Sequence, residues 1–470
     1  MTASAHEFLR SAAEKSADLT HRQIIRKGID QYNTAAERGR SGFADWEAAR
    51  QRCHEIKWEA ENNLDRYLLE FEQKVKDRGG HVFWAENSEQ ARQYIADLAM
   101  QRGVTKIVKS KSMVSEEIHL APTLEKLGIK VVETDLGEYI VQLREETPYH
   151  IVTPAMHLTR TQIRELFKEK LGDVDTDDPP QLVAAARRAL RRDFFSAEMG
   201  ISGANFLVAD AGMIALTTNE GNARLCTSLP RIHVVIAGIE KVIPHLSDLA
   251  TLWPVLATTG TGQPITCYGT LAGGARGENE VDGPEEFHVI LLDNGRSEIL
   301  ADKNEREILH CLRCGACINA CPVFRTVGGH AYGTTYMGPI GSVLTPHLRG
   351  LNEFQHLSYA SSLCGACADV CPVKIDLPRH LLHNRRDAVH QARRSLLERL
   401  GFRVWRWAMQ SPGRFAFFGA MARASSRVVQ ALGLTGTFLD PARGWTRNHG
   451  ALAIPGKTFR ELWGKQNGAN

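Results

Sequence analysis

Seven of the ten cysteines of this chain fall within residues 311–371, in two runs that end alike. The first is Cys311-x2-Cys314-x2-Cys317-x3-Cys321-Pro322, and the second is Cys364-x2-Cys367-x3-Cys371-Pro372. Three thiolates on one tight loop reach three irons of a single [4Fe–4S] cube. The fourth, turned away before the proline, ligates a different cluster. This crossed rule allots Cys311, Cys314, Cys317 and Cys371 to one site, and Cys321, Cys364 and Cys367 to the other. Gly315 leaves the backbone room to wrap the sulfides.

Superimposed on the first run, the second has Ser361 where the first has Cys311, so the second site is one thiolate short. Several alternatives stand open: a serine oxygen from Ser361, a distant cysteine (Cys226 or Cys267), a [3Fe–4S] cluster, or an open iron that accepts water or substrate. Zinc would accept four thiolates, but paired C-x2-C knuckles do not require the x2-C-x3-C-P continuation. Disulfides are disfavoured in a reducing compartment. The expectation is two [4Fe–4S] clusters, the second held by three cysteines or present as [3Fe–4S]. Cys53 lies on a helical apolar stripe and reads as a small core residue.

With 470 residues and ordinary globular composition, the chain has room for two to four domains. No run of about 18 apolar residues is present to span a bilayer. Met1-Thr-Ala-Ser-Ala-His-Glu lacks the basic and apolar regions of a secretory signal, so a cytoplasmic location is expected. Charge is uneven. From Pro378 onward the chain carries net +12, leaving −9 on residues 1–377. In that tail Arg393, Arg394, Arg399, Arg403 and Arg406 interleave with Trp405 and Trp407, which suits an acidic subunit, an anionic membrane surface or plain solvation.

Residues 1–80 read as a helical segment, with Trp46 to Val75 advancing by threes and fours and Gly79-Gly80 ending the run. Residues 81–297 alternate strand-like runs with helices, predicting an α/β layered domain with a largely parallel sheet. The strand readings are His81–Ala85, Lys106–Lys109, Ile129–Glu133, His150–Thr153, Asn205–Ala209, Met213–Thr217, Ile232–Ala237, Ile265–Tyr268 and His288–Leu292. Thr159 and Gln162 stand at capping-box spacing, and Asp173–Pro180 reads as a surface excursion. Residues 298–378 form the cysteine module, entered by a helix over Ile299–Leu309. Residues 379–470 form a basic, mainly helical C-terminal region.

Within the α/β domain, Lys109, Ser110, Lys111 and Ser112 fall at a strand-to-helix turn, where free amides favour an anion, although helix starts recruit serine anyway. Glu220, Asn222 and Arg224 follow a strand end, and Arg224 has the planar fork that clamps a carboxylate, although Asn-Glu-Gly-Asn is also plain turn chemistry. His150 and His157 flank an apparent strand where they could line the cleft, but without a partner at fixed spacing they read as core or solvated histidines. Gly269–Gly277 lacks the G-x-G-x-x-G order, so no nicotinamide site is read from it. A basic tail without a reading motif, on an acidic remainder, argues against nucleic acid as a partner.

The 42 residues between Cys321 and Cys364 exceed what a compact ferredoxin needs. This resembles the helical ferredoxin domain of respiratory-type subunits. VKSKSMVSEEI, ETDLGEYIVQL, HIVTPAMH, GISGANFLVADAG and NEGNARL precede CLRCGACINACPVF and LCGACADVCPVKI. Together they resemble the lactate utilization protein B family, over nearly the whole chain. The resemblance implies a LUD-type α/β domain with a CoA-transferase-like or sugar-phosphate-isomerase-like fold. It also implies two clusters and action beside lactate utilization proteins A and C, in NAD-independent oxidation of L-lactate to pyruvate. An electron-carrier role carries over to the seven clustered cysteines. No residue of the α/β domain is assigned to lactate by it, so catalysis on lactate or another small carboxylate within that domain is the alternative.

Overall fold

The structure, a computed structural model, describes residues 2–172, 174–391, 396–446, 449–451 and 453–467. Two compact units divide the chain, Met1–Gln391 and Ala392–Asn470.

Ten strands occur among the described residues of the first unit: β1 (His81–Ala85), β2 (Lys106–Lys109), β3 (Lys130–Glu133), β4 (Met199–Ser202), β5 (Phe206–Val208), β6 (Met213–Thr218), β7 (Ile232–Gly238), β8 (Val242–Ile243), β9 (Tyr268–Ala272) and β10 (Glu286–Leu292). Six form a sheet of order β1-β10-β7-β4-β2-β3, in which every pairing is parallel. Helices cover its faces, so the inner strand β7 is buried along its whole length, as parallel sheets require. A second sheet, β8-β5-β6-β9, is mostly antiparallel.

The N-terminal segment forms helices Ala3–Ala17, Leu19–Arg40, Trp46–Asn62 and Leu64–Asp77. The apolar run from Trp46 to Val75 is thus broken once, at Asn63. Ile25, Ile29, Cys53 and Ile56 from these helices join one core with Ile308, Leu309, Ile318 and Phe324 of the cysteine module. Thr159 caps Arg160–Leu171 through a complete capping box with Gln162.

Some local readings shift. His150–Thr153 is not a strand, because His150 Nδ1 accepts the N–H groups of Val152 and Thr153, at 3.0 and 3.2 Å, and takes them from any ladder. Ile299–Leu309 is not continuous: helix Arg296–Ala301 ends at Asp302, whose side chain accepts from Asn304 N–H, and a 3-10 turn Arg306–His310 follows. Two short strands, β4 and β8, went unread. Strand β9 begins at Tyr268, where the Ile265–Tyr268 reading ends. Pro179 already starts a helix that runs to Ser196, and Asp173 lies outside the described residues.

Helix Leu377–Gln391 closes the first unit. The second unit holds helices Leu396–Met409 and Pro412–Ala431, joined through Trp407 against Phe418 and Arg414 over Trp407. Arg393 and Arg394 lie outside the described residues. Among the described residues, no helix is long and apolar enough to cross a membrane.

Candidate iron–sulfur centres and the adjoining cavity

The two cysteine runs fold alike. Arg313 and Leu363 adopt the left-handed conformation at φ 61° and 56°, and Gly315 and Gly365 follow at φ 80° and 87°. Each glycine opens a short helix, Ala316–Ala320 in one run and Ala366–Asp369 in the other. Left-handed backbone at a non-glycine residue is uncommon and costs free energy, so two instances at one motif position mark a shape imposed by what the loop must surround.

The sulfurs fall into two neighbourhoods. Cys317 is repelled by Cys311, Cys314 and Cys371, and Cys314 by Cys311 and Cys371. Cys367 is repelled by Cys321 and Cys364, and Cys321 by Cys364. Burial pushes the thiols of Cys314, Cys317, Cys321, Cys367 and Cys371 up, Cys371 to about 11 and Cys367 to about 12, and the neighbouring sulfurs add to it. Backbone amides meet them: Arg313 N–H donates to Cys311 Sγ and Ile375 N–H to Cys371 Sγ, each at 3.4 Å. Buried thiols converging on one another, with amides aimed at them, fit a cationic iron–sulfur core, because only bound metal offsets their mutual repulsion as thiolates.

Basic groups surround the first set. Arg50 grips the Cys371 carbonyl through Nε and Nη2, at 3.0 and 2.7 Å. Lys241 Nζ donates to the Cys311 carbonyl at 3.2 Å, and burial with Arg313 beside it lowers that ammonium to about 8. Burial would lower Arg313, yet the nearby Cys311, Tyr336 and Glu240 hold it above its ordinary range. A buried ion network ties the module to the sheet. Arg296 bridges Glu117 at 2.8 Å and Glu240 at 2.6 Å, and Tyr336 donates to Glu117 at 2.6 Å. Burial opposes the charge on Glu240, but Arg296, Lys241 and Arg313 hold it down to about 2.

A cavity of about 670 Å³ opens where β2, β3 and β4 end, the usual ligand position of a parallel sheet. Ser110, Lys111, Ser112, Glu220 and Asn222 line it; so do Asp135, Lys241, Tyr336, Arg313 and Cys314. The first sulfur set therefore shares a wall with the α/β domain's own cleft. Lys111 binds Asp135 at 3.1 Å, and Asp135 with Glu138 hold its ammonium up against burial. Burial and the neighbouring Asp135 raise the Glu220 carboxyl. Ser110 Oγ, Thr217 Oγ1 and Arg313 Nη1 are buried on this lining and have no hydrogen-bond partner among the described residues.

Not every residue singled out above meets here. Lys109 points away, fully buried against Glu133 at 2.9 Å and Glu116 at 3.3 Å. Arg224 is exposed and outside the lining. Ser112 also caps the following turn by accepting Ser115 N–H. His150 is buried against Asn319, and burial lowers it to about 4. His157, bonded to Glu146, is lowered to about 4 by burial. Cys226 is bonded to Thr134 at 3.3 Å beside Glu133 and Lys109, and Cys267 is exposed. Asp135 and Arg313 lie inside the quoted motifs ETDLGEYIVQL and CLRCGACINACPVF without being singled out there, and Lys241 and Tyr336 belong to no motif quoted above.

Three family models match consecutive stretches: the LUD domain over residues 68–292, a 4Fe-4S dicluster domain over 307–375, and the lactate utilisation protein B C-terminal region over 384–468. Lactate utilization protein B of Bacillus cereus strain AH820 is 44% identical over 422 residues, covering 90% of this chain and 89% of that protein. The chain belongs to the lactate utilization protein B family. The Bacillus thuringiensis strain Al Hakam relative matches to the same extent. A solved DUF162 family protein of Deinococcus radiodurans aligns at 13% identity and a TM-score of 0.28, covering 49% of this chain and 98% of that one, too shallow a likeness to carry an argument. Membership in this family supports a role in lactate utilization, and the dicluster match supports iron–sulfur clusters.

Proposed function

We propose that this chain is the iron–sulfur electron-transfer subunit of an NAD-independent system that oxidises L-lactate to pyruvate. Cys311, Cys314, Cys317 and Cys371 would hold one [4Fe–4S] cluster, and Cys321, Cys364 and Cys367 the other. Such clusters supply one-electron carriers whose potentials follow charge and hydrogen bonding at the sulfurs. The observation that supports this reading is the grouping of the seven sulfurs into two neighbourhoods, with amides and cations around the first.

In this reading Arg50, Lys241 and Arg313 offset the negative charge that reduction adds, and the Arg296–Glu117–Glu240 network keeps the first loop fixed against the sheet. In this reading the chain works in the cytoplasm beside lactate utilization proteins A and C; the letter B in its relatives' name supports a place in a system of several proteins. The C-terminal unit, with Trp405 and Trp407 exposed between arginines, is the surface for an acidic subunit or an anionic membrane. Anaerobic purification followed by iron and sulfide analysis and EPR tests the reading. About eight irons and eight sulfides per chain, reducible by lactate once the partner proteins are added, is the expected result. Zinc in place of iron would sink it.

A second reading rests on the shared cavity wall: lactate or another small carboxylate would be oxidised in the α/β cleft, with the first cluster taking the electrons. Glu220→Gln separates the two. Lactate turnover lost by tenfold or more, with both clusters intact and dithionite-reducible, favours oxidation in the cleft. Unchanged turnover favours the carrier.

A further inference from the structure

The second run lacks a fourth thiolate, yet its loop has the same shape as the first. Residue for residue, Ser361 stands in the place of Cys311. The conformational match covers the two left-handed residues that follow, Arg313 with Leu363 and Gly315 with Gly365. It extends to the side-chain atom. In the first run Arg313 N–H donates to Cys311 Sγ at 3.4 Å; in the second, Leu363 N–H donates to Ser361 Oγ at 3.2 Å. A sulfur in one loop and an oxygen in the other thus each accept the amide of the residue two positions on.

The loop that carries Ser361 is held from behind. Arg385 on helix Leu377–Gln391 donates through Nε to the Ser358 carbonyl at 2.9 Å and through Nη2 to the Ser361 carbonyl at 3.1 Å. The three remaining cysteines lie on other segments of the chain. Cys226 is bonded to Thr134, Cys53 lies in helix Trp46–Asn62, and Cys267 is exposed near Asn219.

We propose that Ser361 Oγ is the fourth protein ligand of the second cluster, binding as an alkoxide, with its hydroxyl proton released to solvent, to the iron that Cys321, Cys364 and Cys367 leave uncovered. This rests on the reading that those three cysteines hold a cubane. The Leu363 amide favours the anionic oxygen, as the Arg313 amide favours the Cys311 thiolate. An oxygen donor is harder than a thiolate and favours the ferric state, so the second cluster should be the harder of the two to reduce.

The test uses the anaerobically purified full-length protein. Reduced samples in water labelled with oxygen-17 are measured by electron–nuclear double resonance and Mössbauer spectroscopy. With Ser361 on the iron, the wild type shows no solvent oxygen coupling at the distinct iron site. Ser361→Ala gains that coupling or loses an iron to give an oxidised-state [3Fe–4S] signal. Ser361→Cys keeps solvent out and raises the reduction potential of the second cluster. Solvent oxygen on the wild-type iron, with about eight irons per chain, would overturn the serine assignment alone. So would a Ser361→Ala protein with wild-type spectra. About four irons per chain, in the first cluster only, would overturn it together with the reading on which it rests.

Discussion

His380 sits in a buried knot of acids and histidines behind the cysteine module. Its Nδ1 lies 2.9 Å from Glu305 and its Nε2 3.5 Å from Glu307, with His383 at 2.8 Å and His347 at 3.8 Å from Glu305. Burial alone would lower the imidazolium, but the two carboxylates raise it to about 9. A folded pKa above the unfolded value of 6.5 means that stabilisation is complete below pH 6.5 and is lost as pH rises through 9. Urea unfolding of the intact protein is expected to lose up to roughly 3 kcal/mol over that window, and His380→Gln to remove that part of the slope. A variant with the wild-type slope would show that the knot is not protonated.

Gly200 shows what holds elements together. It lies in β4, and a Cβ there would stand 1.8 Å from the Cys226 carbonyl oxygen of helix Asn222–Ser228. That helix brings Asn222 to the cavity, and it rests on β4 only because residue 200 has no side chain. Gly200→Ala must push the helix away or bend the strand, at a cost of about 1–3 kcal/mol. Thermal unfolding checks the loss, and unchanged stability would mean the helix moves freely. The cysteine runs, by contrast, were legible as tight loops from their spacing, while the short helices that follow them, Ala316–Ala320 and Ala366–Asp369, were not. His150–Thr153 was misread because a histidine ring, invisible to periodicity, captured the amides a strand would use.

Across the whole molecule, the seven clustered cysteines and every described basic group around the first sulfur set belong to the Met1–Gln391 unit. The Ala392–Asn470 unit buries little; Leu396 and Leu397 are more than 80% exposed, and Trp405 is 60% exposed. A chain ending at Gln391 is expected to keep the iron and sulfide content and EPR signals of the full protein. Binding to vesicles containing anionic lipid, measured by co-sedimentation, is expected to fall at least tenfold and to be salt-sensitive in the full chain. Iron lost on truncation, or vesicle binding unchanged, would contradict this division of labour.

Two things were determined by the order of residues alone. The cysteine spacing dictated the local loops, because ligand geometry over ten residues needs no distant partner. The alternation of short apolar strands with helices dictated the layered α/β class, because each strand must be buried on both faces. The family resemblance was legible for the same reason, since its motifs are short and contiguous. Tertiary structure decided the rest. It brought Asp135, Lys241, Arg313 and Tyr336 from separate segments to one cavity, and turned Lys109 into the core while its neighbours Ser110 and Lys111 faced the cleft. Only packing could pair Arg296 with Glu240 and Glu117. Those relations depend on distances between residues far apart in the chain, and no local periodicity encodes them.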